Sequence, residues 1–493
     1  MLTRVVPQSG QVGSLSAAIS PLLQEHVDES GVIPLVDARE AFAARVLLAR
    51  QAQHTLDVQY YIWRHDITGT LMFEALHEAA ERGVKVRLLL DDHNTVGLDA
   101  TLKGLHQHPN IEVRLFNPLK LRRPRFLNYL VEFRRLNRRM HNKSFVVDGQ
   151  VVISGGRNIG DEYFGATSDV LFADLDVLLI GEVVTAVQND FERYWQSESA
   201  IALDKLYSFT KPQSLAILHK IAKRYEQDPR AQAYVKAIEK LPFIEKLRQQ
   251  DVEIYWAKTQ LVSDSPAKAL GQAKPQQMLP HQLQETIGEP QSHITLVSPY
   301  FVPTRTGVNE LIAMAKRGVQ IIVLTNSLEA TDVAIVHAGY AKWRRKLLRH
   351  GIQLFEMQRL RPLARREQRK ERRQRLKGKE RFGTSASSLH AKTFMVDMAR
   401  VFIGSLNFDP RSAAINTELG FVMHSKALAR RIEQAIITTL PNYAYQLRLI
   451  KHKVVWVERL GKHKTHYYSE PNASIWRRLA VRILERLPIE RFL

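Results

Sequence analysis

The chain has 493 residues, with 71 Lys+Arg against 50 Asp+Glu and a formal net charge of +21 at pH 7. At roughly 100–200 residues per domain, that length predicts two to four domains and a large core. The absence of cysteine excludes disulfides, thiol catalysis and Cys-ligated metal, and the positive excess predicts an anionic partner, either nucleic acid or acidic lipid.

No uncharged apolar run approaches the ~18–20 residues that a membrane-spanning helix needs. The N-terminal stretch MLTRVVPQSGQVGSLSAAISPLL is broken by polar residues, Pro and Gly where a signal peptide wants a continuous apolar core. The composition therefore predicts a soluble, strongly basic enzyme or binding protein without a secretion signal.

In chain order, an internal repeat comes first. Residues 54–92 read HTLDVQYYIWRHDITGTLMFEALHEAAERGVKVRLLLDD, and residues 293–327 read HITLVSPYFVPTRTGVNELIAMAKRGVQIIVLTNS. Each copy opens on a β-branched run, Thr55 to Tyr61 or Ile294 to Phe301, which suits a buried strand. An amphipathic stretch follows, apolar at Leu71, Ala75, Leu76 and Ala79, or at Leu311, Ile312 and Ala315, which predicts a helix. The helix ends at Gly83 or Gly318, where a left-handed residue is wanted. A second strand follows, Val84 to Leu90 or Val319 to Leu324. Near-continuous apolar strands around a helix predict a βαβ unit in a sheet covered on both faces.

Each unit leads to a second matching segment, MHNKSFVVDGQVVISGGRN at 140–158 and LHAKTFMVDMARVFIGSLN at 389–407. Both read as strand, tight turn (Asp148-Gly149; Met398-Ala399-Arg400) and strand. The predicted organisation is an N-terminal segment (1–40), a first α/β domain (41–200) and a helical insertion or linker (201–280). A second α/β domain (281–450) and a tail with a basic amphipathic helix (451–493) complete it.

The two segments share the pattern His-x-Lys-(x)4-Asp followed by Asn: His141, Lys143, Asp148, Asn158, and His390, Lys392, Asp397, Asn407. Side chains at i and i+2 of a strand share a face, so each His stands beside its Lys. Lys and Asn can donate to phosphate oxygens while the His stays free for covalent or proton-transfer chemistry. Two copies supply a neutral His to attack phosphorus and a protonated one to release the leaving alcohol. No zinc-type His spacing, phosphate loop or dinucleotide fingerprint is present, so neither metal nor cofactor is predicted. His337 and Tyr340 in VHAGYAKW read as helix-packing residues.

The duplicated motif resembles the phospholipase D superfamily. The phrases QYYIW, SPYFVPT, RRMHNKSFVVDG, GGRNIGDEYF, DLDVLLIG, LTNSLEATDVAIVHAGYAKWRRKLL and IGSLNFDPRSAAINTELGFV are similar to bacterial cardiolipin synthases, nearest their C-type branch. The resemblance runs from about residue 35 to the C-terminus. It implies two phospholipase D-like α/β sandwich domains related by a pseudo-twofold axis, with the active site at their interface, no metal and a phosphatidyl-histidine intermediate. It implies His141 as nucleophile and His390 as general acid/base, with Lys143, Lys392, Asp148 and Asp397 as the rest of the catalytic motifs. Asp148 and Asp397 look more structural, tying down the turn. Asn158 and Asn407 would bind phosphate. By position, Asp174 in ADLDV and Glu418 in NTELG match carboxylates that the family places behind the catalytic histidines.

The implied reaction transfers a phosphatidyl group from phosphatidylethanolamine or phosphatidylglycerol to phosphatidylglycerol, on a protein peripheral to the bacterial cytoplasmic (inner) membrane. The donor, a helper protein, the oligomeric state and the membrane face stay open. Basic segments fit an anionic membrane surface. Residues 359–381 are densely basic and longer than the branch leads one to expect. Residues 120–140 interleave Phe126, Leu127, Leu130, Val131, Phe133 and Leu136 with Lys and Arg, as a core helix or a membrane-facing lip. Residues 474–493 set Trp476, Ala480, Ile483, Leu484 and Leu487 against arginines, as an interfacial helix or one docked on the domain. The alternatives are a hydrolytic phospholipase D or phosphatidylserine synthase of the same fold, a nuclease, and a non-catalytic membrane scaffold. The basic stretches lack an aromatic base-stacking stripe, so no nucleic-acid partner is expected.

Overall fold

The computed structural model describes residues 15–122, 127–166, 170–207, 223, 227–239, 241, 251–331, 333–359, 386–460 and 463–487. The basic segment 359–381, apart from Arg359, falls outside them.

Each repeat forms the βαβ unit its pattern predicts. In the first, strand Thr55–Tyr60 leads through helix Ile67–Glu81 to strand Lys85–Asp91. In the second, His293–Val297 leads through Thr304–Lys316 to Gln320–Asn326. Asp66 caps the first helix by accepting from the Gly69 N–H. Both helices terminate at left-handed glycines, Gly83 at φ +97° and Gly318 at φ +95°, as the sequence predicts. In each unit the two strands are parallel neighbours, joined on one side by a third parallel strand, Ile111–Phe116 or Gln353–Met357. On the other side the motif hairpin pairs antiparallel, Ser144–Val147 with Val151–Gly155 and Thr393–Val396 with Arg400–Gly404.

The pseudo-twofold runs between two strands outside the repeat units. Ser30–Leu35 pairs with Asp176–Gly181 in the first half, and Tyr255–Ser263 pairs with Leu419–His424 in the second. These two edge strands then pair antiparallel with each other through Ser30↔Ala257 and Val32↔Tyr255, fusing the halves into one sheet of 18 described strands. Strand Tyr255–Ser263 thus lies within the stretch 201–280, and strands Lys453–Leu460 and His463–Tyr467 extend the second sheet beyond residue 450. Helix Pro229–Glu239 buries Tyr234 against Phe42, on the outer face of the first half. Short polar connections give no periodic signal that would place such pieces from sequence.

Each half has its own apolar core, and a third core is shared. In the shared core Val32, Val146, Val152, Val177 and Leu179 meet Met395, Val401, Ile403, Phe421 and Met423, flanked by helices Glu182–Trp195 and Lys426–Tyr443. Burial of that apolar surface is what holds the halves in register.

The C-terminal helix Ile475–Leu484 docks through Val481 against Val302, Leu328, Val336 and Ala338. Its apolar stripe, Trp476, Leu479, Ala480, Ile483 and Leu487, nevertheless faces solvent. The docked reading is realised through Val481, with Leu484 packed beside it, while the outer stripe is left exposed. His337 is buried, as expected of a packing residue, but in an ionic cluster with Arg344 and Glu470 that ties the C-terminal region down.

Candidate active site

The histidines are placed by backbone pairing between halves. His141 N–H donates to the Thr417 carbonyl at 2.9 Å, and the Thr417 N–H donates to the Arg139 carbonyl at 2.9 Å. At the second site, strand Val170–Ala173 pairs parallel with Ala386–Leu389, and the His390 N–H donates to the Ala173 carbonyl at 2.8 Å. In each case the chain preceding a histidine runs beside the chain that delivers a carboxylate from the other half.

The carboxylates consequently cross over. His141 Nδ1 lies 2.7 Å from Glu418 Oε2, and His390 Nδ1 lies 2.5 Å from Asp174 Oδ2. Local spacing could not show this exchange, because each partner is more than 200 positions away in the chain. A carboxylate that accepts the Nδ1 proton fixes the tautomer with the lone pair on Nε2, and at His390 that nitrogen lies 3.3 Å from Lys392 Nζ.

The lysines stand where the strand period puts them. Lys143 Nζ donates to the His141 carbonyl at 2.5 Å, and Lys392 Nζ lies 3.0 Å from His390 Nδ1. Both are 1% exposed. Asn158 is fully buried, with Oδ1 accepting from the Ile62 N–H at 3.0 Å. Asn407 is also buried, and its Oδ1 has no partner among the described residues. An aromatic edge flanks each imidazole, Tyr61 at 5.0 Å from His141 and Tyr163 at 5.3 Å from His390.

Asp148 and Asp397 sit at the far ends of their strands. Asp148 accepts from the N–H groups of Gln53, His54 and Thr55 at 2.7–2.9 Å. Asp397 accepts from those of Gln291, Ser292 and His293 at 2.7–3.1 Å. Each clamps its hairpin to the first strand of its βαβ unit and touches neither histidine. The left-handed pair in the second turn is Asp397-Met398, at φ 52° each, one residue earlier than the turn read from sequence and matching Asp148-Gly149.

Burial sets the protonation states. It holds His141 well below the usual histidine range, with Lys143, Lys392 and His390 adding to the effect. His390 is lowered by burial and by Lys392, but the Asp174 charge and hydrogen bond oppose both. Burial would raise Asp174, yet His390, Lys392 and Arg157 outweigh it and hold this carboxyl below its ordinary value. Glu418 is pushed up to about 7 by burial, and Lys143 is brought down to about 7 by the same cause. The site is thus asymmetric, with a firmly ionised carboxylate behind His390 and a titrating one behind His141.

The two sites also differ in a local contact that does not cause this asymmetry, because the Ser405 hydrogen bond favours the ionised form of Glu418. Gly156 and Ser405 are repeat equivalents; a Cβ on Gly156 would meet Asp174 Oδ1 at 2.0 Å, whereas the Ser405 hydroxyl donates to Glu418. Other supporting residues also went unread. Asp264, paired with buried Lys268 at 2.8 Å, receives the Glu418 N–H, and Asp91 receives the Met140 N–H. Arg157 donates to the Asp174 carbonyl at 2.7 Å. Buried charge in an apolar context was their only sequence signal.

Comparison with known proteins agrees with the geometry. The family model described as "Cardiolipin synthase, PLD-like domain" matches twice, over residues 47–195 and 283–439. Cardiolipin synthase C of Escherichia coli (strain K12) is 48% identical over 477 residues, covering 97% of this chain and 99% of its own. A cardiolipin synthase of Staphylococcus aureus (strain Mu50) is 25% identical over 411 residues, covering 82% of this chain and 66% of its own. The crystal structure of phosphatidylserine synthase from Haemophilus influenzae superposes with a TM-score of 0.58 at 12% identity, covering 96% of this chain and 99% of that one, which speaks to the fold. With two matched domains and a relative at nearly half identity over nearly the whole length, the chain belongs to the phospholipase D-like cardiolipin synthase family.

Proposed function

We propose that the protein is a cardiolipin synthase, a phosphotransferase acting on phospholipids, and that the two crossed His–carboxylate pairs carry the reaction. The observation that supports this most directly is the unequal electrostatics of the pairs. His141, held neutral by burial, presents Nε2 to the phosphorus of a donor phospholipid. The P–N bond forms as the P–O bond to the donor's head group breaks. His390 is lowered by burial and Lys392, but less than His141 because the ionised Asp174 opposes them, so it is the better placed of the two to carry a proton and give it to the departing alkoxide. In the second half-reaction the acceptor hydroxyl of phosphatidylglycerol gives its own proton to the now neutral His390 and attacks phosphorus, and the P–N bond breaks. Lys143, Lys392, Asn158 and Asn407 hold the non-bridging oxygens, and a half-turn of the Asn407 amide, whose Oδ1 has no partner among the described residues, would present a donor there. The donor is phosphatidylethanolamine or phosphatidylglycerol.

Attachment to the bilayer is peripheral in this proposal. No described helix is long and apolar enough to cross a membrane. Leu130, Val131 and Phe133, on helix Leu127–Leu136 just before His141, are exposed, as is the outer stripe of the C-terminal helix. Apolar groups flanked by arginines on a +21 chain suit an anionic lipid surface.

Intact-protein mass spectrometry after an acid-free quench tests the covalent step. A phosphatidyl adduct should map to His141, disappear in His141→Ala, and accumulate in His390→Ala when the donor is a nitrophenyl ester that leaves without protonation. An adduct on His390 that survives in the His141 variant would reverse the roles. Labelled ethanolamine or glycerol released from the head group names the donor.

A further inference from the structure

We infer that an apolar cavity beside the His390–Asp174 pair holds an acyl chain of the phospholipid substrate. The inference rests on the phospholipid reading above and assigns it a second contact, away from the phosphate.

The cavity measures about 960 Å³ and lies between the halves, under helix Lys426–Tyr443. Its wall is mainly aliphatic, with Val297, Leu324, Met357, Leu389, Ile432 and Ile436. Asp174 and Ala173 belong to the same wall, and these residues hold His390 through its ring and its backbone N–H. The cavity therefore backs directly onto the proton-transferring pair. At the mouth, Tyr443 is 39% exposed and neighbouring Ile437 is 52% exposed, so apolar groups continue from interior to surface. Arg39 and Arg431 stand at the rim beside Asp37 and Glu40.

Two features favour an aliphatic occupant. The space opens to solvent, with Val36 on its lining 65% exposed, so its apolar wall is left against water unless something apolar covers it. It also falls within the range of roughly 300–1,000 Å³ for ligand sites, with an aliphatic wall beside charged groups (Asp37, Arg39, Glu40 and Arg431) that suit a chain joined to a polar head. Second, the duplicated fold does not require the space. At the pseudo-equivalent position beside Glu418, the chain after strand Tyr255–Ser263 closes the gap. There Lys268 donates to the Ser412 carbonyl, Tyr194 donates to the Asp264 carbonyl, and Ala269 packs with Met140 and Tyr194.

Monomeric mixed-chain phosphatidylglycerols, with one chain lengthened stepwise below the micelle threshold, provide the test, with bis(p-nitrophenyl) phosphate as the chain-free control. For the wild type, kcat/KM should rise about fourfold per added methylene until the cavity is full. Ile436→Trp and Ala435→Trp fill the space from the helix; they should flatten that rise and leave turnover of the control within twofold. If both lose their thermal transition, Ile436→Ser, which makes the wall polar without filling it, should weaken the rise in the same way. A chain-length response that persists unchanged in the variants overturns the cavity assignment alone. Equal losses on lipid and control overturn it too, because they mark a distorted His390–Asp174 pair. A wild type that cleaves the control but no phospholipid of any length overturns the substrate reading beneath it.

Discussion

At the scale of single residues, burial sets opposing demands on one histidine's surroundings. In the proposed mechanism His141 needs Glu418 ionised, to accept the Nδ1 proton, and Lys143 charged, to meet a phosphate oxygen. Glu418 is pushed up to about 7, so its charge is lost as pH falls through that value. Lys143 is brought down to about 7, so its charge is lost as pH rises through it. A narrow bell in kcat/KM centred near pH 7 is expected for a soluble phosphodiester, falling about tenfold per unit on each side. Glu418→Gln should remove the acid limb, and Lys143→Arg the alkaline one. A flat plateau from pH 5 to 9 would rule both groups out. Asp148 and Asp397 belong to stability instead. Replacing either with Ala strands three backbone donors and should cost about 2 kcal/mol, read in a urea or thermal melt, with turnover changed only a few-fold. Burial is the largest single influence on Asp397 and opposes its ionisation, but the N–H groups of Ser292, His293 and Gln291 together outweigh it and lower the carboxyl from 3.8 to about 2. Its folded-state pKa is depressed, so its stabilisation is complete above pH 3.8 and fades as pH falls through about 2.

At the scale of elements, the C-terminal helix separates two roles by face. Val481 is inward and Trp476, Leu479 and Ile483 are outward. Changing the three outward residues to Ser should reduce sedimentation with anionic vesicles more than tenfold while the melting temperature stays put, since none of them is packed in the free protein. Retained vesicle binding would move the membrane contact elsewhere, with helix Leu127–Leu136 next in line. Val481→Asp should instead lower the melting temperature, by placing a charge in an apolar contact with Val302 and Ala338.

At the scale of the molecule, crossed pairing makes each half incomplete. His141 and Glu418 should couple strongly in a double-mutant cycle on turnover, with Glu418→Gln adding little to His141→Ala, and His390 with Asp174 likewise. The uncrossed pairs, His141 with Asp174 and His390 with Glu418, should couple less. Equal coupling for all four would mean that the carboxylates act through the general field of the site.

The sequence by itself determined the βαβ repeats, the glycine stops and the two His-x-Lys motifs, because strand and helix periods and turn chemistry are local; both carboxylates were named only through the family resemblance. The structural look of Asp148 and Asp397 was legible too, but their donors were not, since the N–H groups they accept from stand about 100 positions earlier in the chain. What only the tertiary structure decided is non-local. It pairs each histidine with the other half's carboxylate, and it gathers Asp264, Lys268 and Arg157 behind the site. It joins the two sheets through Ser30–Leu35 and Tyr255–Ser263, and it leaves a cavity at one of two equivalent positions. Those outcomes depend on how two half-interfaces bury each other, and the pseudo-twofold brings together residues that no spacing along the chain relates.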